Sequence, residues 1–167
     1  FLMKLPEAML TLYREGDPLP GKALEDALKW ADLVLAGPGI GTSSTARDLV
    51  SRLLRDSSVP VVLDADALNL IAQEPALLKQ AKIPTAVTPH LGEMARLTGK
   101  SISALKENLP AGAADFAESF HTVCVLKDAR TVVASPEGAV FINSSGCSAL
   151  ATAGSGDVLA GILASLL

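Results

Sequence analysis

Gly154, Ser155, Gly156 and Asp157 stand at the mouth of an apolar stretch, VLAGILASLL, that reads as a helix. Glycines let the backbone turn several N–H groups toward one point, and a helix that starts there adds partial positive charge. Such a bend can cradle a phosphate and hold it as charge develops during transfer. Asp157 beside it could then take a proton from a substrate hydroxyl. The same residues also suit plain capping, with an oxygen of Ser155 or Asp157 accepting first-turn amides. The bend has no P-loop lysine, so a Walker A reading fails.

Three further clusters have comparable chemistry. In GPGIG, residues 37–41, Thr42 stands where a dinucleotide fingerprint needs its third glycine. That turn offers either close backbone approach to a ligand or a simple strand-to-helix corner. In DADALN, residues 64–69, Asp64 and Asp66 could hold Mg2+ through water, and Asp66 could equally cap a helix. In TPHLGE, His90 is either a structural histidine or one that faces a cleft. Glu93 is either an orienter of metal-bound water or a first-turn helix acid. Lys127, Asp128, Arg130 and Thr131 bring two cations and a hydroxyl, suited to a nucleotide's phosphates or ribose and also to a solvated turn. Cys124 reads as core packing, and Cys147 has no evident base partner.

What must position these groups is a set of short apolar runs. DLVLAG (32–37), VPVVLDAD (59–66), PTAVTPH (84–90) and TVCVLK (122–127) read as buried strands, each followed by one of the clusters. Helical patterns separate them: TARDLVSRLLRD, ALNLIA, GEMARLTG and PAGAADFAESF. TVVAS and AVFIN around PEG read as an antiparallel hairpin. Apolar strands alternating with helices imply an α/β fold with a mostly parallel sheet covered on both faces. In such sheets ligands bind beyond the carboxyl ends of the strands, so the clusters are expected to share one cleft. Residues 1–20 show no period, being interrupted by Pro6, Pro18 and Pro20. Trp30 and the Leu/Ala helix faces are expected in the core.

Composition narrows the partners. The 167 residues are 49% hydrophobic, and the net charge is −4. Mean hydropathy is +0.38 and the pI near 5.1, with no basic stripe to suggest nucleic acid. The ten-residue VLAGILASLL is too short to span a bilayer. Two cysteines and no evident leader point to a reducing cytoplasm. The chain begins at Phe1 and stops within an apolar helix that has no cap, so it reads as a piece of a longer domain.

As a set, AGPGIG, VVLDADALN, TPHLGEMARL, the VLK and threonine of VLKDART, and ATAGSGDVLAGI resemble the ADP/ATP-dependent NAD(P)H-hydrate dehydratases of the ribokinase-like superfamily. The resemblance runs over residues 5–167. GSGD alone would indicate only the superfamily; the longer motifs are much more specific. The resemblance implies a ribokinase-like three-layer α/β/α sandwich, incomplete here, with residues 1–167 forming part of one domain. It implies dehydration of the S-epimer of hydrated NADH or NADPH, a metabolite repair that consumes ADP in bacteria or ATP in eukaryotes. By family position, Gly39, His90 and Asp157 would contact the hydrate, with Asp157 as the base. Lys127, Asp128, Ala129, Arg130 and Thr131, with Gly154, Ser155 and Gly156, would hold the nucleotide, and Asp64 and Glu93 would meet Mg2+ through water. A homo-oligomer of the full-length protein is implied, working without nucleic acid or membrane.

Two departures stand out. Asp128 replaces a glycine usual in the family, and SSGCSAL replaces a TGNPGM-like segment while keeping Gly146. The family also has an amino-terminal Gly-Ala segment and continues past Leu167, so this chain is expected to expose sheet edge and apolar helix surface. Two other readings stay open: a small-molecule kinase of the same superfamily, of hydroxymethylpyrimidine or pyridoxal type, and a non-catalytic nucleotide-binding paralogue.

Overall fold

The apolar runs form strands in the order in which they occur. β1 (Val34–Ala36), β2 (Val61–Leu63), β3 (Thr85–Val87) and β4 (Val123–Leu126) lie side by side and parallel. Val34 pairs with Val61, Val61 with Thr85, and Val87 with Cys124. The chain then doubles back through β5 (Val132–Ala134) and β6 (Val140–Ile142), both antiparallel to their neighbours, as the PEG turn leads one to expect. This is a computed structural model, and it describes residues 6–12, 14 and 17–167. Phe1 and Leu5, where the expected domain and the resemblance begin, lie outside the described residues.

Strand order dictates where the helices go. Each step from β1 to β4 moves one place in the same direction, and parallel crossovers are right-handed. All the crossover helices therefore fall on one face. They are α2 (Ser44–Asp56), α3 (Asp66–Ile71), α4 (Leu91–Thr98), α5 (Ile102–Glu107) and α6 (Leu109–Phe120), joined there by α1 (Gly21–Trp30). Side chains alternate along a strand, and the buried set divides accordingly. Ala36, Leu63, Val87, Cys124, Leu126 and Ala134 pack with Val50, Leu54, Met94, Leu105 and Phe116 from the helices. Val62 and Val125 are buried outside that cluster, on the opposite face. There α7 (Ser155–Leu166) lies against β1 and β2 and buries Ala160 completely. No described helix is long and apolar enough to cross a membrane.

Several sequence expectations need correction. The strands are three or four residues long, because the polar ends of each run turn out of the sheet. α1, α5 and the 3-10 helix Pro75–Gln80 were not among the expected elements. Trp30 is not core but 75% exposed. α1 turns Leu24 and Leu28 inward, four residues apart on one face, and Trp30 comes about 200° further round the helix from Leu28. On α7, Val158, Ile162 and Leu166 are exposed at four-residue spacing, and β6 exposes Val140, Phe141 and Ile142.

The two thiols differ in surroundings. Cys124 is buried between β3 and β5, and burial pushes its thiol up to about 12, whereas Cys147 is exposed. A thiol reagent at neutral pH should therefore label Cys147 and spare Cys124 until denaturant is added. Rapid labelling of both in the native protein would contradict this packing.

Candidate active site at the strand ends

Parallel pairing brings four strand ends into one row. Asp64 N–H donates to Ala36 O at 3.1 Å, and Thr88 N–H donates to Leu63 O at 3.1 Å. Lys127 N–H donates to Pro89 O at 2.7 Å, and a bridge between His90 and Lys127 forms the last rung. The residues that follow β1, β2, β3 and β4 thus sit along a single edge, as the sequence leads one to expect. An apolar hollow lined by Leu24, Leu28, Val34, Ile40, Leu49 and Leu53 lies instead between α1, β1 and α2; it has no polar group suited to the chemistry.

The GPGIG turn is held tightly at its base. Gly37 is buried with φ +132°, and a Cβ there would fall 1.7 Å from the carbonyl oxygen of Asp64. No other residue type fits at this point. Gly39, expected at the substrate, is exposed at the crown of the turn. Gly41 N–H donates to Asp66 Oδ2 at 2.9 Å. Asp66 therefore clamps the neighbouring turn and does not cap α3, whose N-cap is Ala65 without a side-chain bond. From the same motif, Asn69 Oδ1 accepts from Arg96 Nε on α4 at 3.0 Å.

Asp64 points the other way. Lys127 Nζ donates to Asp64 Oδ1 at 2.8 Å, with the aspartate side chain 3% exposed and the lysine 21%. A carboxylate that deep must be paired, and the lysine provides the charge. Lys127 Nζ also lies 3.8 Å from where a Cβ on Gly156 would be. That contact joins the strand ends to the entrance of α7.

At that entrance the capping alternative fails. The N-cap is Gly154, with φ +86° and no side-chain cap, and Ser155 N–H turns back to Thr152 O at 3.2 Å. Asp157 is exposed in the first turn, and among the described residues it makes no ion pair or hydrogen bond. The Lys127 ammonium thus lies near Gly156 at a helix entrance without a side-chain cap, and Asp157 is the next residue, a combination suited to an anion and a proton acceptor. Asp128, Ala129 and Arg130, which follow Lys127, form an exposed bend. Thr131 O accepts from Asn143 N–H at 2.8 Å, which ties that bend to the hairpin. The altered loop with Gly146 and Cys147 is exposed.

His90 is not a lone histidine. It is the N-cap of α4: its Nδ1 accepts from Gly92 N–H at 2.9 Å and Glu93 N–H at 3.3 Å. Glu93 Oε2 returns the favour by accepting from His90 N–H at 2.8 Å. Histidine is an unusual N-cap, but the H-x-x-E spacing is that of a capping box, a signal the sequence offered. The Asp64–Lys127 and Asp66–Gly41 pairs had no local signal. Among the described residues no three His, Cys, Asp or Glu side chains are grouped to hold a metal ion. Asp64 and Glu93 each already have a partner, so the donor set fits Mg2+ only as an ion that keeps its own waters.

Comparison with known proteins identifies the family and the fold. Residues 2–167 match the Carb_kinase family, described as NAD(P)H-hydrate dehydratase. A bifunctional NAD(P)H-hydrate repair enzyme of Moorella thermoacetica is 43% identical over 98% of the chain, which spans 30% of that protein. The ADP/ATP-dependent NAD(P)H-hydrate dehydratase of Bacillus subtilis, crystallised with ATP and Mg2+, is 32% identical over 81% of the chain and 47% of its own, with a TM-score of 0.71. A ribokinase-like superfamily protein of Enterococcus faecalis superposes with a TM-score of 0.81 at 29% identity, over 98% of this chain and 55% of that one. The architecture is thus the ribokinase-like α/β sandwich, and the chain spans about half or less of each of these proteins.

Two stability measurements test the site's construction. Gly37→Ala should cost about 4 kcal/mol or prevent folding, whereas Gly39→Ala, with open space around it, should cost about 1–2 kcal/mol for its left-handed backbone. Equal effects would refute the close approach at Gly37. Lys127→Met should lower stability by about 3 kcal/mol by stranding Asp64. Adding Asp64→Asn should return part of that loss, and simple additivity in thermal unfolding would deny the pair.

Proposed function

Since the chain belongs to the Carb_kinase family of NAD(P)H-hydrate dehydratases, we propose that it carries the strand-end part of a site that dehydrates the S-epimer of hydrated NADH or NADPH, with consumption of ADP or ATP. The observation that carries this reading is the entrance of α7: uncapped glycine amides, Lys127 beside Gly156, and an Asp157 that makes no ion pair or hydrogen bond among the described residues. In this reading Asp157 takes the proton of the ring hydroxyl, whose oxygen attacks the terminal phosphoryl group. The amides of Gly154 and Gly156 and the Lys127 ammonium hold that group as its charge redistributes. The nucleotide leaves with one phosphate fewer. The ring nitrogen then expels the new phosphate ester as inorganic phosphate, and loss of a ring proton restores the double bond. With ADP the balance is hydrate plus ADP giving NAD(P)H, AMP and phosphate, so the enzyme is a carbon–oxygen lyase.

The remaining residues take supporting roles. Gly39 and His90 would line the hydrate side. Lys127, Asp128, Ala129, Arg130 and Thr131, with Gly154, Ser155 and Gly156, would line the nucleotide side. Mg2+ would arrive with the nucleotide, its waters reaching Asp64 and Glu93, and would neutralise phosphate charge. The protein would work in the cytoplasm as a homo-oligomer of the full-length chain, on small molecules alone.

Incubation of the full-length protein with hydrated NADH and ADP should restore the near-ultraviolet absorbance of the dihydronicotinamide. Asp157→Asn should lower kcat by about 10³-fold while nucleotide binding persists. A kinase of the same superfamily would share the base and the bend but release a phosphorylated product without restoring absorbance. Turnover by Asp157→Asn at the parent rate would refute the assignment of the base.

A further inference from the structure

The cap on α4 does more than begin a helix. N-caps are usually Ser, Thr, Asp or Asn, whose oxygen meets the first-turn amides and leaves nothing over. An imidazole in that place uses only one of its two nitrogens. Backbone N–H groups can only donate, and two of them, from Gly92 and Glu93, converge on His90 Nδ1 at 2.9 and 3.3 Å. That nitrogen must present its lone pair. In the neutral ring the proton is then on Nε2.

Two neighbours make this arrangement possible. The ring folds over the first turn of its own helix, and a Cβ on Gly92 would lie 2.8 Å from His90 Cε1 and 3.2 Å from Nδ1. Any side chain at position 92 would lift the imidazole off the amides. Glu93 is 5% exposed. Its Oε2 accepts from His90 N–H at 2.8 Å and so fixes the backbone that carries the ring. Its Oε1 lies 3.4 Å from Nε2, and a carboxylate there favours the N–H edge of the ring over a lone pair. The imidazole itself is 54% exposed, at the strand end paired with Lys127.

We infer that Gly92 and Glu93 are positioning residues that fix His90 as the Nε2–H tautomer, so that His90 meets the substrate as a hydrogen-bond donor to an acceptor oxygen. This rests on the proposed function only for the identity of the acceptor, an oxygen of the hydrated nicotinamide portion. It also separates the roles in the cleft. A histidine with a free Nε2 lone pair would compete with Asp157 for the hydroxyl proton, and the cap denies it that lone pair.

The test is nitrogen-15 NMR of the histidine side chains in the ligand-free full-length protein at neutral pH, with His90 assigned by loss of its signals in His90→Asn. The expected spectrum shows a protonated Nε2 and an unprotonated, hydrogen-bonded Nδ1. Gly92→Ala and Glu93→Ala should each shift the ring toward a mixture of tautomers, and Glu93→Gln, which keeps an acceptor for His90 N–H, should restore the parent pattern. Gly92→Ala should also raise KM for hydrated NADH about tenfold while leaving KM for the nucleotide in place. A proton on Nδ1 in the parent protein, or a tautomer indifferent to both alanine variants, overturns the inference. That result would leave the dehydratase reading standing. Absence of turnover with hydrated NADH would do the reverse, since the parent spectrum does not depend on activity.

Discussion

The ion pair between Asp64 and Lys127 organises the cleft. Strands lie about 4.8 Å apart, and β3 runs between the two that carry these residues, so the pair spans two strand spacings. Only a long side chain can do this. Its energetics are those of buried charge: neither partner is tolerable without the other. Lys127 Nζ also lies 3.8 Å from where a Cβ on Gly156 would be, so the same side chain links the strand ends to the first turn of α7.

Around that pair, polar side chains of adjacent motifs reach in different directions. Asp64 reaches toward β4, Asp66 toward the turn after β1, and Asn69 toward α4. DADALN therefore works as a brace between neighbouring strand ends. His90 and Glu93 form a second brace at the end of β3. Each spends polar groups on structure while leaving other groups exposed: Gly39 on the crown of its turn, His90 half-exposed, Asp157 exposed.

Much of this was legible in local pattern. The alternation of apolar runs and amphipathic stretches marked β1 to β4, the hairpin, α2, α4, α6 and α7, because a period of two or of 3.6 residues is written in consecutive side chains. Clusters after each strand led to the expectation of one shared cleft, and those strand ends do lie along one edge; the glycine bend before Asp157 led to the reading of an anion site put forward above. α1 and α5 were missed: α1 has Leu24 and Leu28 at helical spacing but follows a proline-interrupted segment with no side-chain cap to mark its start, and α5 is only six residues long. Trp30 was misplaced because its character as a residue says nothing of its angle on a helix whose limits were unknown.

The sequence by itself determined the elements, their order and the chemical types brought to the cleft, since all three depend on neighbours along the chain. Only the tertiary structure decided who pairs with whom. Lys127 and Asp64 are 63 residues apart, and Gly41 and Asp66 are 25 apart. Such partnerships depend on strand order and register, which no local period records. The same holds for Asp157, which among the described residues makes no ion pair or hydrogen bond while Gly154 takes the N-cap position and Lys127 pairs with Asp64.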